Sequence, residues 1–158
     1  MYRKIMVPLD GSELAECVMP HVEAITTGCK ITEVVFVRVV NPAHLPASVP
    51  ARGEFGYGEN ERRELEKQNR QTAETYLKRI VENTRLEGAV LSYEVRVGKV
   101  ADTLVQWAEK NGADLIVIAS HGRSGISRWV MGSVADRVLR SACVPVLIIR
   151  APGCVAGI

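Results

Sequence analysis

The stretch ASHGRSGISRWVMGS, residues 119–133, decides how this chain is read. It follows the apolar run DLIVIA (114–119) and precedes the helical pattern VADRVLRSA (134–142). Such a stretch packs poorly. Gly122 and Gly125 let the backbone approach a ligand closely, and Ser120, Ser124, Ser127, Arg123, Arg128 and His121 offer donors and positive charge. Gly132 and Ser133 then open a helix, whose first turn carries unpaired N–H groups and a partial positive charge. A glycine-rich turn with an ordinary serine cap is the plain alternative. The combination of glycines, hydroxyls and basic residues at a strand end favours an anion site.

Outward from this stretch, apolar runs alternate with helical patterns. Upstream, ADLIVIAS is a strand buried on both faces, as in the middle of a parallel sheet. Downstream, a helix over about 132–141 leads to the strand VPVLIIR (144–150). Near the N-terminus KIMVPL (4–9) reads as a strand with Asp10 at its end, and Ser12 as the cap of a helix bearing Leu14, Val18, Val22 and Ile25. Gly28 is the expected stop of that helix. The β-branched ITEVVFVRVV (31–40) is the second strand. A charged helix follows over about 61–87, with the thin stripe Leu65, Ala73, Tyr76 and Ile80, and Gly88 ends it. AVLSYEVRV (89–97) is the third strand, and Val100 to Lys110 a helix with Val100, Leu104 and Trp107 inward.

The order β-α-β-α-β-α-β-α-β dictates an α/β fold, an open, doubly wound, five-stranded parallel sheet with helices on both faces. Residues 1–150 form a single domain, residues 41–60, rich in Pro and Gly, a mobile loop, and residues 151–158 a loose tail. Ligands of such sheets bind beyond the carboxyl ends of the strands. Asp10, at the end of the first strand, can accept hydrogen bonds from a ribose or an adenine amino group, or form an Asx turn that starts the helix at Ser12.

Composition removes several function classes. The net charge of +2 gives no general basic field for nucleic acid. No apolar run reaches the length of a membrane span, and MYRKIMVPLDGS does not read as a signal peptide, so the cytoplasm is the expected location. Cys17, Cys29, Cys143 and Cys154 form no C-x-x-C pair. GEFGYG (53–58) lacks both the glycine spacing and the leading strand of a dinucleotide fingerprint, and no Walker A pattern occurs.

The segments KIMVPLDGSELAE and ASHGRSGISRWVMGSVADRVLRSACVPVLIIR resemble the opening and closing parts of the universal stress proteins, and the resemblance covers Arg3 to Arg150. ATP-binding members of that family carry a glycine, two residues, a glycine, nine residues, then glycine and serine or threonine. Gly122, the nine-residue spacing, Gly132 and Ser133 match, whereas Ala119 stands in place of the first glycine, which implies weakened binding. The resemblance implies a Rossmann-like strand order 3-2-1-4-5 and ATP with Mg2+ or Mn2+. Asp10, with the backbone of Pro8 and Leu9, would meet the adenine side, and Val39 would bond adenine through its main chain. Ala119, Ser120, His121, Gly122, Arg123, Ser124 and Gly125 would wrap ribose and phosphates, and Gly132, Ser133, Val134 and Ala135 would bind phosphates. It also implies a homodimer through Val146, Leu147, Ile148 and Ile149, the edge strand, and an unknown protein partner.

The function expected is therefore a dimeric, nucleotide-dependent regulator of the stress response. A non-binding interaction module of the same fold, favoured by Ala119, and a weak ATPase using His121 are the alternatives. Gly132→Val is expected to abolish nucleotide binding and leave the fold intact.

Overall fold

The computed structural model describes residues 2–41, 59–121 and 131–150. Its elements are β1 (Lys4–Pro8), α1 (Glu13–Glu16), α2 (Met19–Cys29), β2 (Glu33–Val40), α3 (Glu59–Asn83), β3 (Val90–Val97), α4 (Val100–Lys110), β4 (Leu115–Ala119), α5 (Ser133–Ser141) and β5 (Val146–Ile149). The five strands form one parallel sheet in the order β3-β2-β1-β4-β5, as expected.

Alternation along each strand sends side chains to two cores. Ile5, Val7, Val34, Phe36, Leu115 and Val117 meet Val18 and Val22 of α2 and Leu77 of α3 on one face. Met6, Val35, Val37, Ile116 and Ile118 meet Leu104, Trp107 and Ala108 of α4 and Ala135 and Val138 of α5 on the other. This division places the reversal of strand order between β1 and β4, where the chain leaves the two strand ends toward opposite faces. A crevice beyond the strand ends follows from that geometry.

Three local readings are corrected. The first helix is broken in two around Cys17 and Val18. Pro20 has no N–H and its ring crowds the carbonyl four residues back, so α2 restarts with proline in its first turn. Gly28 stays inside α2. The left-handed residue is Lys30, at φ 55°, because Thr26 C=O accepts from both Lys30 N–H and Ile31 N–H, and Ile31 is drawn into the core. The third helix begins at Glu59 and ends at Asn83, before Gly88; its buried stripe is Ala73, Leu77 and Ile80, with Tyr76 half-buried. Residues 42–58 of the expected mobile loop, and the tail 151–158, lie outside the described residues.

Side chains tie neighbouring elements together. The Asp114 carboxylate accepts the N–H groups of Arg3 and Lys4 at 2.8 and 2.9 Å, joining the start of β4 to that of β1. Arg137 of α5 pairs with Asp102 of α4 at 2.8 Å. Tyr76 of α3 donates to Glu16 of α1 at 2.9 Å, with the guanidinium of Arg38 lying 5.1 Å from its ring centre.

Candidate functional site

A cavity of about 540 Å3 opens at the carboxyl ends of β1, β2 and β4, a volume ordinary for a small-molecule site. It is built from three directions. Pro8, Leu9 and Asp10 come from the end of β1, and Val37 to Asn41 from that of β2. Ala119, Ser120 and His121 leave β4, and Gly132, Ser133, Val134 and Ala135 enter α5.

Each position has a local cause. Asp10 forms the Asx turn: its Oδ1 accepts from Ser12 N–H at 2.9 Å and Ser12 Oγ at 2.6 Å. Ser12 Oγ in turn accepts from Ala15 N–H at 3.2 Å and caps α1. The Asx-turn reading of Asp10 is thus the observed one, and the turn holds the carboxylate at the cavity wall. Val39 lies beyond the last β1–β2 pair, Pro8↔Val37. Val37 C=O faces β1 and accepts from Leu9 N–H at 3.0 Å; two residues on, the peptide groups of Val39 face the same way, past the end of β1.

Gly132 is required by packing. Its N–H donates to Ser120 C=O at 2.8 Å, and an added Cβ would lie 2.8 Å from that same oxygen. The start of α5 is thereby pinned to the end of β4. This corrects the expectation for Gly132→Val: the branched side chain would strike the backbone of the site itself, so the fold is not left intact around it. The N-cap residue of α5 is Gly132, which has no side chain to cap the helix, and Ser133, Val134 and Ala135 of its first turn line the cavity. Ser120 and His121 are buried, with Ser120 Oγ 3.0 Å from His121 Nδ1. That pair joins a hydroxyl and an imidazole at the mouth of β4, able to donate to or accept from a ligand.

Ala119 is 6% exposed and belongs to the core cluster that contains Leu9 and Ala15, while also lining the cavity. Gly122, Arg123, Ser124 and Gly125 lie outside the described residues. The remaining candidates, Pro8, Leu9, Asp10, Val39, Ala119, Ser120, His121, Gly132, Ser133, Val134 and Ala135, all line this one cavity.

Sequence reading missed Arg38 of β2, Asn69 and Thr72 of α3, and Val100 and Leu104 of α4 as cavity residues. A signal for the α3 pair exists. Asn69 and Thr72 continue the inward stripe of Ala73 and Tyr76 one turn earlier, where apolar residues give way to polar ones. Among the described residues no group of three His, Cys, Asp or Glu side chains is placed to hold a metal ion, and no helix is long and apolar enough to cross a membrane.

The family model described as "Universal stress protein family" matches residues 1–150. Universal stress protein MJ0531 of Methanocaldococcus jannaschii is 32% identical over 152 residues, covering 96% of this chain and 84% of the relative. MJ0577 of the same organism is 31% identical over 158 residues, covering 95% and 96%. The solved structure of MJ0577 superposes with a TM-score of 0.81 at 28% identity, over 97% of this chain and 99% of that one. A universal stress protein from Archaeoglobus fulgidus, solved in complex with dAMP, shares the fold at a TM-score of 0.56 and 22% identity, over 94% and 98%. Matched along nearly its whole length in sequence, this chain belongs to the universal stress protein family.

Proposed function

We propose that this chain is a cytoplasmic, dimeric regulator of the stress response that binds ATP together with Mg2+ or Mn2+. The observation that carries the reading is the cavity at the β1/β4 reversal, lined by apolar residues of β2, α4 and β4 and by the first turn of α5. Val39, Val100, Leu104 and Ile118 suit a flat base, and the peptide groups of Val39 supply hydrogen bonds for its edge. The N–H groups of Ser133, Val134 and Ala135 and the Ser133 hydroxyl suit phosphates, helped by the helix dipole. The divalent ion would be held by phosphate oxygens and water. The dAMP held by the Archaeoglobus relative supports an adenine nucleotide as the ligand class. Dimerisation through β5 is supported by its apolar run on the sheet edge, where Leu147 is exposed.

A second reading, a dimeric interaction module that binds no nucleotide, is favoured by the methyl group of Ala119 on the cavity wall. Calorimetric titration of ATP with Mg2+ into purified protein, after a check by absorbance for co-purified nucleotide, separates the two. Micromolar or tighter binding is expected. A protein that carries no nucleotide and takes up none would leave the module as the reading.

A further inference from the structure

The sheet has two edges, β5 on one side and β3 on the other. β3 runs unbroken from Val90 to Val97 beside β2, in register from Glu33↔Val90 to Val40↔Val97. That register fixes which main-chain groups face outward. Val90 N–H donates to Thr32 C=O at 2.9 Å and Gly98 N–H to Val40 C=O at 3.0 Å, so the even-numbered residues bond to β2. The N–H and C=O groups of Leu91, Tyr93, Val95 and Val97 therefore point away from the sheet, and among the described residues they meet no backbone partner.

Long free edges invite pairing unless proline, a bulge or charge blunts them. β3 has no proline and no bulge, and it exposes Val90, Tyr93 and Val97. Its two charges are of opposite sign and two residues apart, hence on one face. Glu94 accepts from Trp107 Nε1 of α4 at 2.9 Å and pairs with Arg96 of its own strand. Opposite charges at this spacing complement themselves. In an antiparallel pairing of β3 with its own copy about a two-fold axis at Val95, Glu94 of each chain stands opposite Arg96 of the other, and Tyr93 stands opposite Val97. The outward residues Tyr93, Val95 and Val97 then exchange N–H and C=O groups with their opposite numbers. Moving the axis to Glu94 sets like charges face to face, and moving it to Tyr93 puts Ser92 opposite Glu94 and Val90 opposite Arg96.

We propose that β3 is an interface with a second copy of this chain, formed in that register and distinct from the β5 edge. The occupant is a second copy because the charge pattern is self-complementary and the two free edges satisfy each other.

The test is sedimentation velocity of the full chain over a range of concentrations, with Val97→Pro and Arg96→Glu beside it. Val97→Pro removes an outward N–H and leaves the bonds to β2, at a residue 53% exposed. Arg96→Glu sets like charges opposite each other on both sides of the axis. Circular dichroism checks the fold, and if one variant does not fold the other decides. Each variant should associate about tenfold or more weakly than the unaltered protein. A mass that a folded variant leaves unchanged overturns the inference; if it is that of a dimer, the dimer is held elsewhere and the dimeric reading of the function stands. The mass of one chain at every concentration overturns both.

Discussion

Adding a single methyl group at residue 132 tests how the site is held together. The backbone there, φ −56° and ψ 141°, is open to any residue, so Gly132→Ala meets no dihedral penalty. The obstacle is contact. The new Cβ would lie 2.8 Å from Ser120 C=O and 3.5 Å from His121 Cα. Ser120 cannot retreat freely, because its N–H is bonded to Ile149 C=O at 2.7 Å. The start of α5 must therefore move away from β4, weakening the bond from Gly132 N–H to Ser120 C=O. Overpacking of this kind costs about 1–3 kcal/mol, which lowers Tm by about 2–12 °C in a chain of this size. The same shift takes the N–H groups of Ser133 to Ala135 off their aim, and a charge-assisted bond lost to a phosphate weakens affinity by about tenfold or more. Gly28→Ala is the control. Its Cβ meets nothing within 4 Å inside α2, so it should raise stability by about 0.5–1 kcal/mol and leave the site alone. Calorimetric melting and ATP titration of both variants give the readout. A Gly132→Ala protein with unchanged Tm and unchanged affinity would refute the claim that this contact sets the site.

Two further outcomes concern the ties between neighbouring elements. The N–H groups of Arg3 and Lys4 hold the Asp114 carboxyl below its usual range. A depressed folded-state pKa means that this contribution is present above the unfolded value of about 3.9 and is lost as pH falls through the folded value. In urea melts, the stability gap between the unaltered protein and Asp114→Asn should therefore shrink as pH is lowered below about 4. Burial first, then the hydrogen bond to Glu16, pushes the Tyr76 phenol far above its ordinary value. A raised folded-state pKa gives the opposite window, with the contribution full below the unfolded value of about 10 and lost as pH rises past it. Tyr76→Phe should cost about 1–2 kcal/mol at neutral pH, with the gap narrowing in alkaline urea melts.

Much of this fold is legible in the chain because its information is local. Buried runs such as LIVIA and VVFV need no distant partner to be read as strands, and the helices between them force parallel pairing. Val100 to Lys110 falls out with its limits because its apolar spacing is regular. Local reading failed where two signals compete. Pro20 overrode a continuous helical stripe, and Lys30 took the left-handed turn that Gly28 invited, since burial of Ile31 fixes where the chain exits.

The site divides the same way. By itself the sequence pointed to the cavity-lining strand ends, Pro8 to Asp10 and Ala119 to His121, and to the glycine–serine start of α5, because these residue types break the pattern of the elements that carry them, while Val39 was marked only by the family resemblance. Only the tertiary structure decided that Gly132 is pinned against Ser120, and that Asn69 and Thr72 of α3 stand across the cavity from Val100 and Leu104 of α4. The reason is physical. Periodicity records which face of a helix is inward, but how far that helix runs past the end of a sheet depends on the packing of other elements distant in sequence.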